Sequence, residues 1–242
     1  MYANKTICNM KHLITHLKTF SFLALMALVV SCSKSDDPKA RIMAVHASPN
    51  APGVDVLVDN TKVNSSALTF PNNSGYLSVN AGTRNIKINV AGTSTTVINA
   101  NLSVVADKNY TVFAVDSVAK ISAIAVEDNL ATPASGKAHI RFFHLSPNAP
   151  SVDVGVLNGS TFTGVFNNRS FETQSSAAAN AAFTPVDAGT YTFQVRVAGT
   201  STVALTIPGV TLQAGKIYTV FAKGFLGGAG AEALGAQIIN NN

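Results

Sequence analysis

His46, Ser48 and Asp55 stand close together in HASPNAPGVDV (46–56). His144, Ser146 and Asp153 stand at the same spacing in HLSPNAPSVDV (144–154). A hydroxyl, an imidazole and a carboxylate are the parts of an acyl-transfer triad, and His and Asp are also metal ligands. Each reading meets an obstacle in the surrounding sequence. The sharp Gly-x-Ser-x-Gly turn that presents a hydrolase nucleophile occurs nowhere in the chain, and both copies of the motif would have to be active. A metal site needs three or four ligands, whereas each copy supplies one His and one Asp; His139 is the one further His after residue 32.

The structural reading of the motif remains. Strand parity puts Ile140, Phe142 and His144 on one face and Arg141 and Phe143 on the other; Ile42, Ala44 and His46 share a face in the first copy. Each His thus ends an apolar stripe. Pro49 and Pro147 then break the strand, because proline fixes φ and has no N–H to give to a ladder. Asn50 and Asn148 suit an Asx turn. Val-Asp-Val opens the next strand, with Asp55 and Asp153 turned away from the flanking valines. Buried polar groups at a tight corner need partners, so the Asp carboxylates or Ser hydroxyls are expected to take loop N–H groups. The expected role of His46, Ser48, Pro49, Asn50 and Asp55, and of His144, Ser146, Pro147, Asn148 and Asp153, is a repeated corner, with no catalytic residue, no metal and no cofactor.

The elements that hold this corner also occur twice. VAGTST appears at 90–95 and 197–202, YTVFA at 110–114 and 218–222, and VNAGT (79–83) answers VDAGT (186–190). The order is kept, and the second copy is longer, with the Ala- and Ser-rich FETQSSAAANAAF (171–183) as its extra material. Two units follow, 40–129 and 138–242, joined by a linker at 130–137. Polar and apolar residues alternate in NIKINV (85–90) and TYTFQVRV (190–197), and turn residues recur every few positions. The expectation is all-β: two tandem β-sandwich domains, immunoglobulin-like or transthyretin-like in architecture. The Cys and Trp core of a true immunoglobulin domain is missing, since the chain has no Trp. Tyr110 and Tyr218, each before Thr-Val-Phe, suit a tyrosine corner. GAGAEA (228–233) matches a dinucleotide fingerprint in letters, but too little chain follows to build a βαβ unit, so it reads as a flexible hairpin loop.

The first residues carry a different message. Lys11 and Lys18 precede an uncharged, mostly apolar run at 20–30, too short for a bilayer span and suited to a signal-peptide core. Val29-Val30-Ser31-Cys32 resembles the lipobox of bacterial lipoproteins. That resemblance implies a signal peptide over 1–31, a diacylglycerol on Cys32 and a polar tether at 32–39. Removing Lys5, Lys11 and Lys18 with the leader leaves 14 of the 17 basic residues against 12 acidic ones, a net +2. These are scattered singly, which excludes a nucleic-acid footprint. Cys8 would leave with the leader, so no disulfide can form.

Arg-x-x-His-x-Ser-Pro-x-Ala-Pro-x-Val-Asp-Val, with Arg141 in the second copy and Met43 in its place in the first, resembles the opening of the bacterial domain of unknown function 4397 family. Domains of that family occur in tandem on secreted proteins and lipoproteins and have no established activity. Asp36 and Asp37 after the Cys resemble the surface-export signal of Bacteroidetes lipoproteins. The resemblance implies an outer-membrane lipoprotein, facing the periplasm or the cell surface, held to the membrane by the lipid on Cys32. Its expected role is non-catalytic binding or structural work, with an unknown envelope protein or glycan as partner and no nucleic acid. The alternative is an accessory component of a surface carbohydrate-handling or enzyme system. The absence of Trp weighs against the alternative, since aromatic stacking drives sugar binding.

Overall fold

A computed structural model describes residues 37–242; the signal peptide, Cys32 and the tether as far as Asp36 lie outside the described residues. The first repeat contains β1 (Lys39–His46), β2 (Val54–Val58), β3 (Thr61–Lys62), β4 (Asn73–Asn80), β5 (Gly82–Val90), β6 (Thr96–Val104), β7 (Asn109–Val115) and β8 (Ser122–Glu127). The second contains β9 (Lys137–His144), β10 (Val152–Asn158), β11 (Thr161–Arg169), α1 (Gln174–Ala179), β12 (Thr184–Asp187), β13 (Gly189–Val197), β14 (Val203–Leu212), β15 (Ile217–Lys223) and β16 (Gly235–Asn240).

Strand for strand, the two repeats have one topology. The first forms a sheet β4-β1-β7-β8 and a sheet β3-β2-β5-β6; the second forms β12-β9-β15-β16 and β11-β10-β13-β14. In both, the opening strand runs parallel to the seventh, and the other pairings are antiparallel. These are the all-β sandwich domains that the alternating pattern implied. The tyrosine corners form as well: Tyr110 Oη accepts the Val105 N–H and Tyr218 Oη the Gln213 N–H, both at 3.1 Å.

Each sandwich has its own core. Ile42, Val79, Ile86, Val104 and Val112 fill one end of the first, and Val54, Val56, Leu68, Ile88 and Ile98 fill the other. Ile140, Phe142, Val154, Phe166, Phe193 and Val195 fill the second. A further buried cluster belongs to both repeats. It joins Met43, Val45, Phe113, Val115, Ile124 and Val126 to Phe143, Leu145, Ala177, Phe221 and Ile239. Apart from Leu145, just past β9, and Ala177, these side chains come from β4-β1-β7-β8 and β12-β9-β15-β16, so the two sheets cover one another and their central strands are buried on both faces. Phe113 packs edge-on against Phe143 at 5.3 Å and against its own counterpart Phe221 at 6.2 Å. Contact between equivalent residues is the mark of an interface with approximate two-fold symmetry.

The extra segment of the second repeat joins this interface. Thr173 and Ser176 form a reciprocal capping box that starts α1. The Gln174 amide then binds both the N–H and the C=O of Ala125, each at 2.8 Å, occupying backbone groups on the edge strand β8. Ala177 is fully buried in the shared cluster.

Candidate functional site

The repeated motif forms the same corner in both sandwiches. His46 and His144 are fully buried, and each imidazole Nε2 donates to the carbonyl of the second proline of its motif, Pro52 at 2.9 Å and Pro150 at 3.0 Å. Burial pushes both imidazoles below their ordinary pKa, and the carbonyl bonds oppose this only in part. Both rings are therefore neutral at pH 7, and the Nδ1 atoms have no hydrogen-bond partner among the described residues.

The Asp residues connect two repeated motifs. Asp55 Oδ2 accepts the Gly92 N–H at 3.0 Å, and Asp153 Oδ2 accepts the Gly199 N–H at 2.8 Å. Gly92 and Gly199 are the glycines of the two VAGTST turns, both at φ +72°, a conformation a side chain would strain. The second carboxylate oxygen differs between copies. Asp55 Oδ1 meets Lys62 Nζ at 2.7 Å, whereas Asp153 Oδ1 accepts the Asn168 N–H at 2.7 Å. The Lys62 ammonium and the Gly92 N–H hold Asp55 below the ordinary carboxylate range; the Asn168 and Gly199 N–H groups do so for Asp153.

Asn50 and Asn148 reach across the fold. Asn50 Oδ1 accepts the Val118 N–H at 2.9 Å; Asn148 pairs with Leu226 through both its amide atoms, at 2.8 and 3.0 Å. They tie the corner to the loop after β7 or β15. Ser146 Oγ donates to the Gly224 carbonyl at 2.7 Å, while the buried Ser48 hydroxyl has no partner among the described residues. Pro49 and Pro147 stand just past the strand ends at His46 and His144. His, Ser and Asp share a corner in each copy, but no hydrogen bond among the described residues links them, and each imidazole Nε2 is taken by a backbone carbonyl. Among the described residues, no three His, Cys, Asp or Glu side chains gather as metal ligands.

Two features escaped the sequence. The first is a polar network where the sandwiches meet. Arg141 and Asp128, both with fully buried side chains, form an ion pair at 2.6 Å. Asp128 also accepts Tyr76 Oη and Thr111 Oγ1, each at 2.6 Å. Arg141 Nε donates to Thr219 Oγ1 at 2.9 Å, Thr219 donates to Asn241 Oδ1 at 2.8 Å, and the Asn241 amide closes the network on Tyr76 Oη at 3.1 Å. The Arg141 guanidinium lies over the Phe183 ring at 4.3 Å. Burial, reinforced by the Asp128 charge, raises the Tyr76 hydroxyl far above its usual pKa, so it remains a donor.

The second feature is a cavity of about 290 Å³ between the sheets of the second sandwich, beside the His144 corner. Its walls include Phe142, Val152, Val195, Leu205, Leu226 and Leu234, and no charged residue lines it. A smaller cavity of about 20 Å³ lies next to it along β14 and β16, and shares Phe142, Val195 and Ala236 as walls. Val203, Leu226 and Ile238, at 48%, 51% and 36% exposure, are three of the five most exposed large hydrophobics among the described residues, and all three line one of these cavities. Exposed apolar residues gathered at one place mark a binding surface, where scattered ones do not. The readable signal was Ile-Pro-Gly at 207–209, which interrupts the alternation of β14.

Residues 40–155 match the model of a family described as Domain of unknown function (DUF4397). The matched stretch spans the whole first repeat and the first corner of the second, which supports the family resemblance carried by the motif. No curated protein matches the chain.

Proposed function

We propose that this protein is a lipid-anchored envelope protein that binds a ligand without transforming it. In this reading Cys32 carries the acyl anchor in the outer membrane, and the paired sandwiches form one body displayed on the tether. The observation that carries the binding role is the contrast between the corner and the cavity. At the corner, the imidazole Nε2 atoms, the Asp carboxylates and the Asn amides are held by backbone, except that Asp55 also takes Lys62. Beside it, an apolar cavity stays open. Ligand sites are typically concave and mostly apolar with few polar groups.

The anchor is tested by metabolic labelling with a radioactive or clickable fatty acid in a Gram-negative host. The full chain should take up label and fractionate with outer membranes. Cys32→Ala should abolish labelling and leave uncleaved precursor. Label retained by Cys32→Ala overturns the lipid anchor.

A further inference from the structure

Three differences between the second sandwich and the first act on this cavity. The first is a bulge. Tyr191 pairs with Val210 and Phe193 with Ile207, so two residues of β14, Pro208 and Gly209, oppose the single Thr192 of β13, with Gly209 at φ +70°. The β5–β6 pair has no such irregularity at the corresponding place; its one register shift lies between Ile88 and Asn89 of β5, opposite Ile98 and Thr96 of β6. Bulges bend an edge strand and are over-represented at binding sites. The second is loop length: β7 and β8 are joined by 116–121, but β15 and β16 by 224–234. Gly224 anchors the longer loop at φ +78°, where an added Cβ would stand 2.2 Å from the Ala233 carbonyl oxygen. The third is the wall itself. Ile98, on β6, is 7% exposed and lines a cavity of about 310 Å³ whose walls include the amides of Asn101 and Gln174; Leu205, its counterpart on β14, is only partly buried and faces a cavity with neither charged nor amide side chains in its walls.

We infer that the open edge of the second sandwich is a binding site for a single unbranched acyl chain, inserted end-first between the sheets. This deepens the binding role proposed above and rests on it. The shape and chemistry of the site select the ligand. The two cavities share walls and together follow β14 from Val203 to Val210 and β16 from Gly235 to Ile238, an elongated apolar lining that suits a slender chain better than a fused ring system. With no charged residue in the lining, a headgroup would stay in solvent at the rim formed by Val203 and Leu226. The polar side chains in the lining are Thr202 and the neutral His144, whose Nδ1 is unpaired.

The test uses residues 37–242, which contain all four buried clusters and form one compact unit. Calorimetric titration is run with octanoate, decanoate, dodecanoate and tetradecanoate below their micelle concentrations, with lauroyl lysophosphatidylcholine as a second arm. Each added methylene should tighten binding about fourfold until the slot is filled, after which affinity levels off. Binding by both arms identifies the chain as the recognised part; binding by one alone identifies its source as free acid or lipid. Val203→Asp with Leu226→Asp, at exposed rim positions, should weaken binding more than tenfold with an unchanged melting temperature. Ala236→Phe, on the wall common to both cavities, should block entry. Absence of binding in both arms, affinity independent of chain length, or full binding by the rim variant overturns the inference. None of these outcomes bears on whether Cys32 is acylated, so failure of the slot is distinguishable from failure of the anchor.

Discussion

The two repeats share a topology and a corner, yet the interface between them is built from unlike residues at like positions. By strand register, Met43 corresponds to Arg141, Tyr76 to Phe183, Thr111 to Thr219 and Asp128 to Asn241. Only the two threonines are the same. The first repeat contributes the carboxylate and the phenol; the second contributes the guanidinium and the amide. Two copies of the first half would bury two carboxylates with no guanidinium, and two copies of the second would bury two guanidiniums with no carboxylate. The departure from the family pattern at Met43 therefore has a physical reason: the interface holds one guanidinium, placed opposite one carboxylate. An interface between equivalent faces is self-complementary by construction, and divergence of the two halves has turned it into a pair that fits in one arrangement.

The largest expected effect breaks that pairing. Asp128→Ala leaves the Arg141 guanidinium buried without a counter-charge, and truncating one partner of a buried pair costs about 3–5 kcal/mol. Arg141→Met with Asp128→Asn copies onto each repeat the residue type its counterpart carries, and removes both charges together. Exchanging a whole buried pair for neutral groups is often close to neutral in stability. The double variant should thus recover most of what Asp128→Ala loses. Urea unfolding of residues 37–242 measures both. If the double variant is as unstable as Asp128→Ala, the interface depends on the charges themselves and not on their mutual compensation.

The next effect concerns the two buried histidines. Each folded-state pKa lies below the ordinary 6.5 because burial disfavours the charged ring. Below that value the unfolded chain binds protons that the folded chain does not, so stability rises with pH through this range. It is fully present above about pH 6.5 and declines as the pH falls from there towards the folded pKa. The copies differ in one respect: the Glu172 carboxylate partly opposes the depression at His144 and has no counterpart at His46. His46→Gln should therefore flatten the dependence of melting temperature on pH more than His144→Gln does. Equal flattening would mean that Glu172 does not distinguish the two corners.

Much of this was readable from the residues. The repeated strings located both sandwiches and both corners, and the phase of Ile140, Phe142 and His144 identified the face that enters the second core. The opposite face carried information that a two-layer reading does not use. Met43, Val45 and Phe143 are apolar on what would be an outer surface, so the later parts of β1 and β9 carry apolar residues on both faces, as strands buried on both sides do. Alternation alone cannot say what covers a second apolar face, because the partner sheet comes from distant sequence. Asn50 and Asn148 illustrate the same limit. Their type suits a local turn, but their bonds reach Val118 and Leu226, and residue type carries no record of that distance. The cavity was less legible still, because it depends on a bulge of one residue and on loop length, features that leave composition unchanged.

The smallest expected effect separates the two serines of the corner. Ser146 Oγ donates to the carbonyl of Gly224, the residue that opens the long loop beside the cavity. Ser48 is equally buried, but its hydroxyl meets no acceptor among the described residues. A buried hydroxyl without a partner carries a desolvation penalty and no compensating bond. Ser48→Ala should consequently be neutral or slightly stabilising. Ser146→Ala removes a bond and leaves the Gly224 carbonyl without its donor, at about 1 kcal/mol. The loss should have a local signature too, because the bond fixes the start of 224–234: amide exchange should quicken at Gly228 and Ala233, while the loop at 116–121 is unaffected by Ser48→Ala. Denaturant midpoints of the two single variants, with hydrogen exchange resolved to these loops, decide the matter. Equal losses from both substitutions would show that Ser48 finds a partner in solution, and the serine would then no longer distinguish the two corners.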